Sequence, residues 1–330
     1  MAKVFVTGGT GFVGAHVVRK LVERGDHVVV LVRPGSNLRL LQGLPIETVT
    51  GNIISLDSLL WPLRKVDELY HIAADYRLWA PDPREIYLNN LVGTLHVMEA
   101  ALRLQVPRVV YTSTVGCLGL PRNGTPGNEE TPVTREELVG HYKKSKYDAE
   151  RVALDYVTKG LNVVIVNPST PIGPGDIKPT PTGKIILDFL KGKMLAYVDT
   201  GLNLVDVEDV AEGHLLAAAK GRVGEKYILG NRDLTLQEIL TILAQITNRQ
   251  PPSLRIPHWV SLLAAYGDSA VSLILGKAPG IPVEGALMAK KKMFFSPQKS
   301  INELGLPQRS VEDALARAVR WFMDNGYAGK

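Results

Sequence analysis

Tyr142 and Lys146 stand four residues apart in the run His141-Tyr142-Lys143-Lys144-Ser145-Lys146, which reads as the opening of a helix continuing to about Lys159. Residues at that spacing share one helix face. A phenol titrates near 10 in water, too high for a base working near neutrality, and a neighbouring ammonium stabilises the phenolate. Such a pair can move a proton to or from a substrate oxygen. In a chain with 11 tyrosines, a bare Tyr-x-x-x-Lys is expected about once by chance, so its meaning depends on where it stands. Just upstream, Tyr111-Thr112-Ser113-Thr114-Val115-Gly116 ends a strand and places hydroxyls at its carboxyl edge. Strand alternation lets Ser113 or Thr114 hold a substrate oxygen, but not both.

A second constellation binds phosphate. Thr7-Gly8-Gly9-Thr10-Gly11-Phe12-Val13-Gly14 follows the first strand and opens a helix whose apolar face includes Val13, Val17, Val18, Leu21 and Val22. Gly8 reverses the backbone, Gly11 lets it approach a pyrophosphate, and Gly14 lets helix and strand pack closely, while the helix N-terminus offers free N–H groups. In this strand-turn-helix context the pattern predicts dinucleotide binding. Where an acid would hold a ribose 2′-hydroxyl, the second strand ends Val32-Arg33-Pro34. A guanidinium there can grip a 2′-phosphate, which favours NADP(H) over NAD(H).

The elements that must position these residues are legible as an alternation. β-branched runs at 4–6, 27–32, 47–50, 69–72, 109–112 and 163–166 are separated by segments with helical spacing. Gly25 and Gly160 are placed to end two of those helices. Parallel strands joined by crossovers form an α/β, Rossmann-type doubly wound sheet. Pro168 to Gly183 is rich in proline and glycine and reads as a long surface loop, after which a smaller, helix-rich lobe begins. Thr235 to Glu238 and Ser310 to Asp313 resemble capping boxes, and Lys226 to Leu229 one more strand. The expected division is a dinucleotide-binding domain of 1–168 and 204–230, and a substrate-binding lobe of 169–203 and 231–330.

Bulk composition narrows the class. The 330 residues, 45% hydrophobic and 22% charged, can bury a substantial core. One cysteine, Cys117, excludes an intramolecular disulfide and a cysteine-rich metal site, and no metal is expected. The N-terminus runs directly into a strand, leaving no room for a signal peptide; with the cysteine usage this suggests a cytoplasmic protein. The net charge of +5 is scattered rather than gathered, which argues against nucleic-acid binding. The stretch 259–275 is apolar but interrupted by Gly267-Asp268 and reads as a helix covering a pocket, ahead of a membrane-surface helix and well ahead of a spanning one. Lys290-Lys291-Lys292 reads as a solvated helix face.

With the glycine turn, the strand-end hydroxyl and Tyr142/Lys146 in this order, the chain resembles the extended short-chain dehydrogenase/reductases over nearly its whole length. His71-Ile72-Ala73-Ala74, Asn90-Leu91-Val92-Gly93-Thr94, Pro168 with Gly173-Pro174, and Asp206-Val207-Glu208-Asp209-Val210 fall where that family has such segments. Within that family it is similar to the dihydroflavonol-reductase-like branch, and most closely to the bacterial hopanoid-associated sugar epimerases, through Ala73-Ala74-Asp75-Tyr76-Arg77-Leu78-Trp79 and Asn167-Pro168-Ser169-Thr170-Pro171-Ile172-Gly173-Pro174. The resemblance implies Tyr142 as acid/base, Lys146 as the residue that lowers its pKa and holds the nicotinamide ribose, Thr114 as the orienting hydroxyl with Ser113 as fallback, and Asn90 as support. It implies cofactor contacts from Gly8, Thr10, Gly11, Phe12, Val13, Gly14, Arg33, Asn52, Ile53, Ala73, Ala74, Thr112, Tyr142, Lys146 and Pro168. Asn52 replaces the family's usual acid, and Val115-Gly116 stand where sugar dehydratases carry an acidic pair, which argues against dehydration.

Tyr76 and Arg77 follow the fourth strand at its ligand edge and are candidates to grip a small-molecule substrate. His71 and His141 read as packing or hydrogen-bonding residues, because the tyrosine already supplies the acid/base. The expected reaction is net reduction of a ketone or aldehyde, with epimerisation of a nucleotide sugar as the alternative. A cofactor sensor without turnover would have no need of Tyr142, Lys146 and Thr114. The resemblance also makes a family-typical homodimer, built from the helices around 89–104 and 141–159, a plausible assembly.

Overall fold

Valine-rich runs with no polar face make strands that must be covered on both sides, and the chain supplies helices for each. The computed structural model describes residues 1–328. The first half alternates: β1 (Lys3–Thr7), α1 (Phe12–Glu23), β2 (His27–Val32), β3 (Glu47–Thr50), α2 (Asp57–Leu60), β4 (Glu68–His71), α3 (Arg84–Tyr87), α4 (Gly93–Arg103), β5 (Arg108–Thr112), α5 (Gly140–Thr158) and β6 (Val163–Pro168). Then come β7 (Thr170–Ile172), α6 (Pro181–Leu190), β8 (Ala196–Tyr197), β9 (Gly201–Asp206), α7 (Val207–Lys220), β10 (Lys226–Leu229), β11 (Arg232–Thr235) and α8 (Leu236–Thr247). The chain continues through β12 (Leu254–Arg255), α9 (His258–Leu275), α10 (Val283–Met288), β13 (Lys292–Met293) and α11 (Val311–Asp324).

Seven parallel strands form the main sheet in the order β3-β2-β1-β4-β5-β6-β10. Val4, Val6, Val28, Val30 and Val110 pack one face against α1 and α7, while Phe5, Val29, Leu69, Val109 and Ile165 pack the other against α4 and α5. The order reverses between β1 and β4, which opens a crevice at their carboxyl ends. Gly25 and Gly160 take the left-handed conformation expected of residues that end helices.

A second core lies outside that sheet. β9 is flanked by β7, β11 and β13, and α6, α8 and α11 cover this small sheet with Ile186, Leu240, Leu243, Leu315 and Phe322. Thr235 and Glu238 make a reciprocal capping box at α8, and Ser310 accepts from the Asp313 N–H at α11.

Three expectations need correction. The stretch Pro168 to Gly183 is no continuous loop: β6 runs through Pro168, Thr170–Ile172 pairs with β9, and α6 begins at Pro181. Pro181 sits at the first helical turn, where its fixed φ suits the helix and its missing N–H is not needed, so the residue read as punctuation is a start signal. Lys290 to Lys292 are not on a helix face, since α10 ends at Met288 and Lys292 enters β13. α9 is a helix as expected, but Trp259, Leu263 and Tyr266 face outward rather than down onto a pocket.

Candidate active site

The glycine turn lies against the end of β4. Gly8 has φ of +76°, and a Cβ there would stand 2.5 Å from the Ala73 amide nitrogen, so both backbone shape and space require glycine. Gly11 donates to the Gly8 carbonyl at 3.0 Å and caps α1 without a side chain, leaving the first-turn N–H groups at Phe12, Val13 and Gly14 facing the crevice mouth. Ala73 donates to Thr7 Oγ1 at 3.3 Å, so Ala73 and Ala74 continue the same rim. Arg33 is exposed just past β2, and among the described residues its guanidinium has no hydrogen-bond or ion-pair partner. Asn52 holds its own turn: its Oδ1 accepts from the Ile54 N–H at 3.2 Å, while Ile53 packs against Gly93 of α4.

The candidate reacting groups converge from β5 and α5. Thr114 has extended backbone just past β5, and its hydroxyl caps the turn at Val115 to Cys117 by accepting from the Gly116 N–H at 3.0 Å. The same side chain stands near enough to the Tyr142 phenol to favour its ionised form. Ser113 points the other way, as alternation requires, and donates to the buried carboxylate of Glu150. Glu150 also accepts from Asn167 Nδ2 at 3.0 Å and pairs with Lys226, so it fastens α5 to the carboxyl ends of β5 and β6 and to the start of β10. Pro168, buried at the end of β6, follows that anchor directly.

Lys146 is buried and donates to the Tyr111 hydroxyl at 2.9 Å and the Thr112 carbonyl at 2.7 Å. Burial lowers its amine to about 8. The expectation was that Lys146 brings the Tyr142 phenol down. In the structure burial pushes that phenol up, and only the nearby Thr114 hydroxyl favours the opposite direction. The ammonium has committed two of its three donors to β5, leaving one for a phenolate or a ribose hydroxyl.

Asn90 sits in a π-helical turn over Leu88–Val92, a distortion that recurs at functional sites. Its amide is fully engaged: Nδ2 donates to Ser145 Oγ and the Asp75 carbonyl, both at 2.9 Å, and Oδ1 accepts from the Asp75 N–H at 2.7 Å. Ser145 in turn donates to the Tyr142 carbonyl at 2.8 Å. Asn90 therefore ties the first turn of α5 to the segment after β4.

His71 continues this network toward the glycine turn. Thr94 gives its one hydroxyl proton to the Asn90 carbonyl at 2.6 Å, so at its 3.0 Å contact with His71 Nε2 it must accept. Nε2 then carries the ring proton, and Nδ1 accepts from the Thr7 hydroxyl at 2.7 Å. Burial and the Lys146 charge hold His71 down at about 3, so it stays neutral, as expected of a structural histidine. Thr112 uses its hydroxyl on His214 Nε2 at 2.9 Å, leaving only its carbonyl toward Lys146.

Of the three substrate candidates, Ser113 is held by Glu150, and Tyr76 and Arg77 also have partners within the chain. Arg77 is gripped by Asp75 and Glu85, and the Tyr76 hydroxyl donates to the Lys178 carbonyl at 3.1 Å, bridging the β4 exit to the segment before α6. Tyr111, Ser145, Thr94 and Glu150 complete the site and escaped the sequence reading. Their one signal is being polar inside otherwise apolar strand or helix faces.

The NAD dependent epimerase/dehydratase family matches residues 4–230 of this chain. A putative dihydroflavonol 4-reductase from Synechocystis sp. is 46% identical over 327 residues, 98% of this chain and 95% of that protein. Sterol demethylase protein B from Methylococcus capsulatus is 34% identical over 323 residues, 97% of this chain and 98% of that protein. The crystal structure of PA4631, a nucleoside-diphosphate-sugar epimerase from Pseudomonas aeruginosa, superposes with a TM-score of 0.80 at 26% identity, covering 99% of each chain.

Proposed function

The chain belongs to the NAD dependent epimerase/dehydratase family and is an NAD-dependent oxidoreductase or epimerase of the extended short-chain type, and on that premise we propose that it reduces a ketone, with Tyr142 as proton donor. The observation that carries this reading is the convergence of Thr114, just past the carboxyl edge of β5, with Tyr142 and Lys146 on one face of α5, where Lys146 is tied back to β5 through the Thr112 carbonyl. A substrate carbonyl set between the two hydroxyls is polarised by both and takes its proton from Tyr142 as hydride arrives on carbon.

The cofactor supplies hydride. The first turn of α1 and the rim at Ala73 hold its phosphates, Lys146 holds its ribose, and Arg33 grips a 2′-phosphate, so the favoured form is NADP(H) over NAD(H). The lobe built around β9 and α6, residues 169–203 with 231–330, closes over the substrate. The strongly similar reductase-named relative supports reduction over epimerisation, and the sterol-named relative supports an apolar substrate. Val115-Gly116 offer no acid or base after Thr114, which speaks against dehydration.

The deciding experiment incubates the enzyme with deuterated NADPH and candidate ketones, and separately with nucleotide sugars and no added cofactor. Stoichiometric loss of NADPH with deuterium in the product is the expected result. An inverted sugar centre without net cofactor change would establish the epimerase instead.

A further inference from the structure

The described side chains of α9 are arranged largely inside out, with Val260 and Leu262 half-buried. Among its described side chains it turns Ala265 and Ser272 inward and leaves Trp259, Leu263, Tyr266, Val271 and Leu275 between 54% and 64% exposed. A helix that covers a core buries its large apolar residues and shows water its polar ones. Trp259, Leu263 and Tyr266 are spaced by four and three, so they form one continuous stripe. Asp268, the one acidic residue in the helix, is folded back: its carboxylate accepts from the Ile281 N–H at 2.9 Å.

The ends of this apolar face are basic. Arg255 and Lys292 both reach Asp199, at 2.9 and 3.3 Å, which gathers two cations around one carboxylate just before the helix starts. Lys277 is exposed just beyond its last residue. An apolar, aromatic-bearing face flanked by cations is complementary to one kind of surface, a hydrocarbon layer under anionic headgroups.

We propose that α9 docks on the surface of an anionic lipid bilayer, its Trp259-Leu263-Tyr266 stripe entering the boundary between headgroups and acyl chains while Arg255, Lys277 and Lys292 meet lipid phosphates. Among the described residues no helix is long and apolar enough to cross a membrane, so the contact is interfacial. A second copy of the chain fits less well, because pairing two such faces would bring like charges together. Docking would let the enzyme meet alcohols and ketones dissolved in lipid, but it does not depend on the hydride chemistry.

The test is co-sedimentation of the full chain with vesicles of phosphatidylcholine alone and of phosphatidylcholine mixed with phosphatidylglycerol. The chain is expected to bind the mixed vesicles, and less so as salt rises. The variant W259S/L263S/Y266S should lose vesicle partition by about 100-fold, with its circular dichroism and thermal midpoint kept, since the altered side chains are exposed. A second readout is fluorescence quenching by brominated lipid, expected for the unmodified chain and reduced in Trp259→Phe. Absence of vesicle binding, undiminished binding by the triple variant, or a dimer in light scattering that the triple variant breaks would each overturn the proposal. No turnover enters these measurements, so their failure would leave the reaction proposed above untouched.

Discussion

Lys146 extends its ammonium to the Tyr111 hydroxyl at 2.9 Å and lies 4.5 Å from the centroid of the same ring. A buried cation is thus held by an acceptor and a π face on the strand beside the reacting hydroxyls. The arrangement makes a pH prediction. The ammonium is present below about 8 and is lost as pH rises through that value, so turnover should fall on the alkaline side there. Tyr111→Phe removes an acceptor that favours the charged form, which lowers the amine further. The alkaline limb of the kcat/KM profile should move to lower pH; an unmoved limb would detach it from Lys146.

Tyr142→Phe deletes one oxygen at the reacting centre and leaves the glycine turn intact. Turnover is expected to fall by about 10²–10⁴-fold, with cofactor Kd unchanged by fluorescence titration. A variant keeping most of its rate would remove Tyr142 from the mechanism.

Arg33→Ala should weaken NADPH far more than NADH, because only NADPH carries the phosphate that a guanidinium can grip. The lost charged hydrogen bond costs about 1.5–3 kcal/mol, readable as a ratio of the two Kd values. Equal effects on both cofactors would show that Arg33 reads no phosphate.

Glu150→Ala should destabilise the fold by about 3–5 kcal/mol, because it strands Lys226, Ser113 and Asn167 together. Chemical denaturation measures the loss, and Glu150→Gln, which keeps hydrogen bonding to Ser113 and Asn167, should recover part of it. A neutral Glu150→Ala would mean that α5 is anchored by packing alone.

The doubly wound sheet and glycine turn were legible because their causes are local: apolar runs need cover on both faces, and a turn with Gly8 so close to Ala73 admits no side chain. What stayed illegible was decided across the fold. Ser113 and Thr114 are equivalent as letters until Glu150, 37 residues after Ser113, claims one of them. Arg77 reads as a free guanidinium until Asp75 and Glu85 close on it. Periodicity showed that 259–275 is helical, but which side of a helix meets protein is a property of its neighbours.

The route from Thr7 through His71, Thr94, Asn90 and Ser145 to Tyr142 resembles a wire and cannot conduct. Each hydroxyl proton along it is already assigned a direction, the path crosses an amide that does not relay protons, and it ends on the Tyr142 carbonyl rather than the phenol. The network fixes geometry while insulating the phenol from the interior. On the mechanism proposed above, the proton that Tyr142 gives up would return from the crevice side, and the accessibility of that crevice to water, rather than this network, would set how quickly the acid is recharged between turnovers.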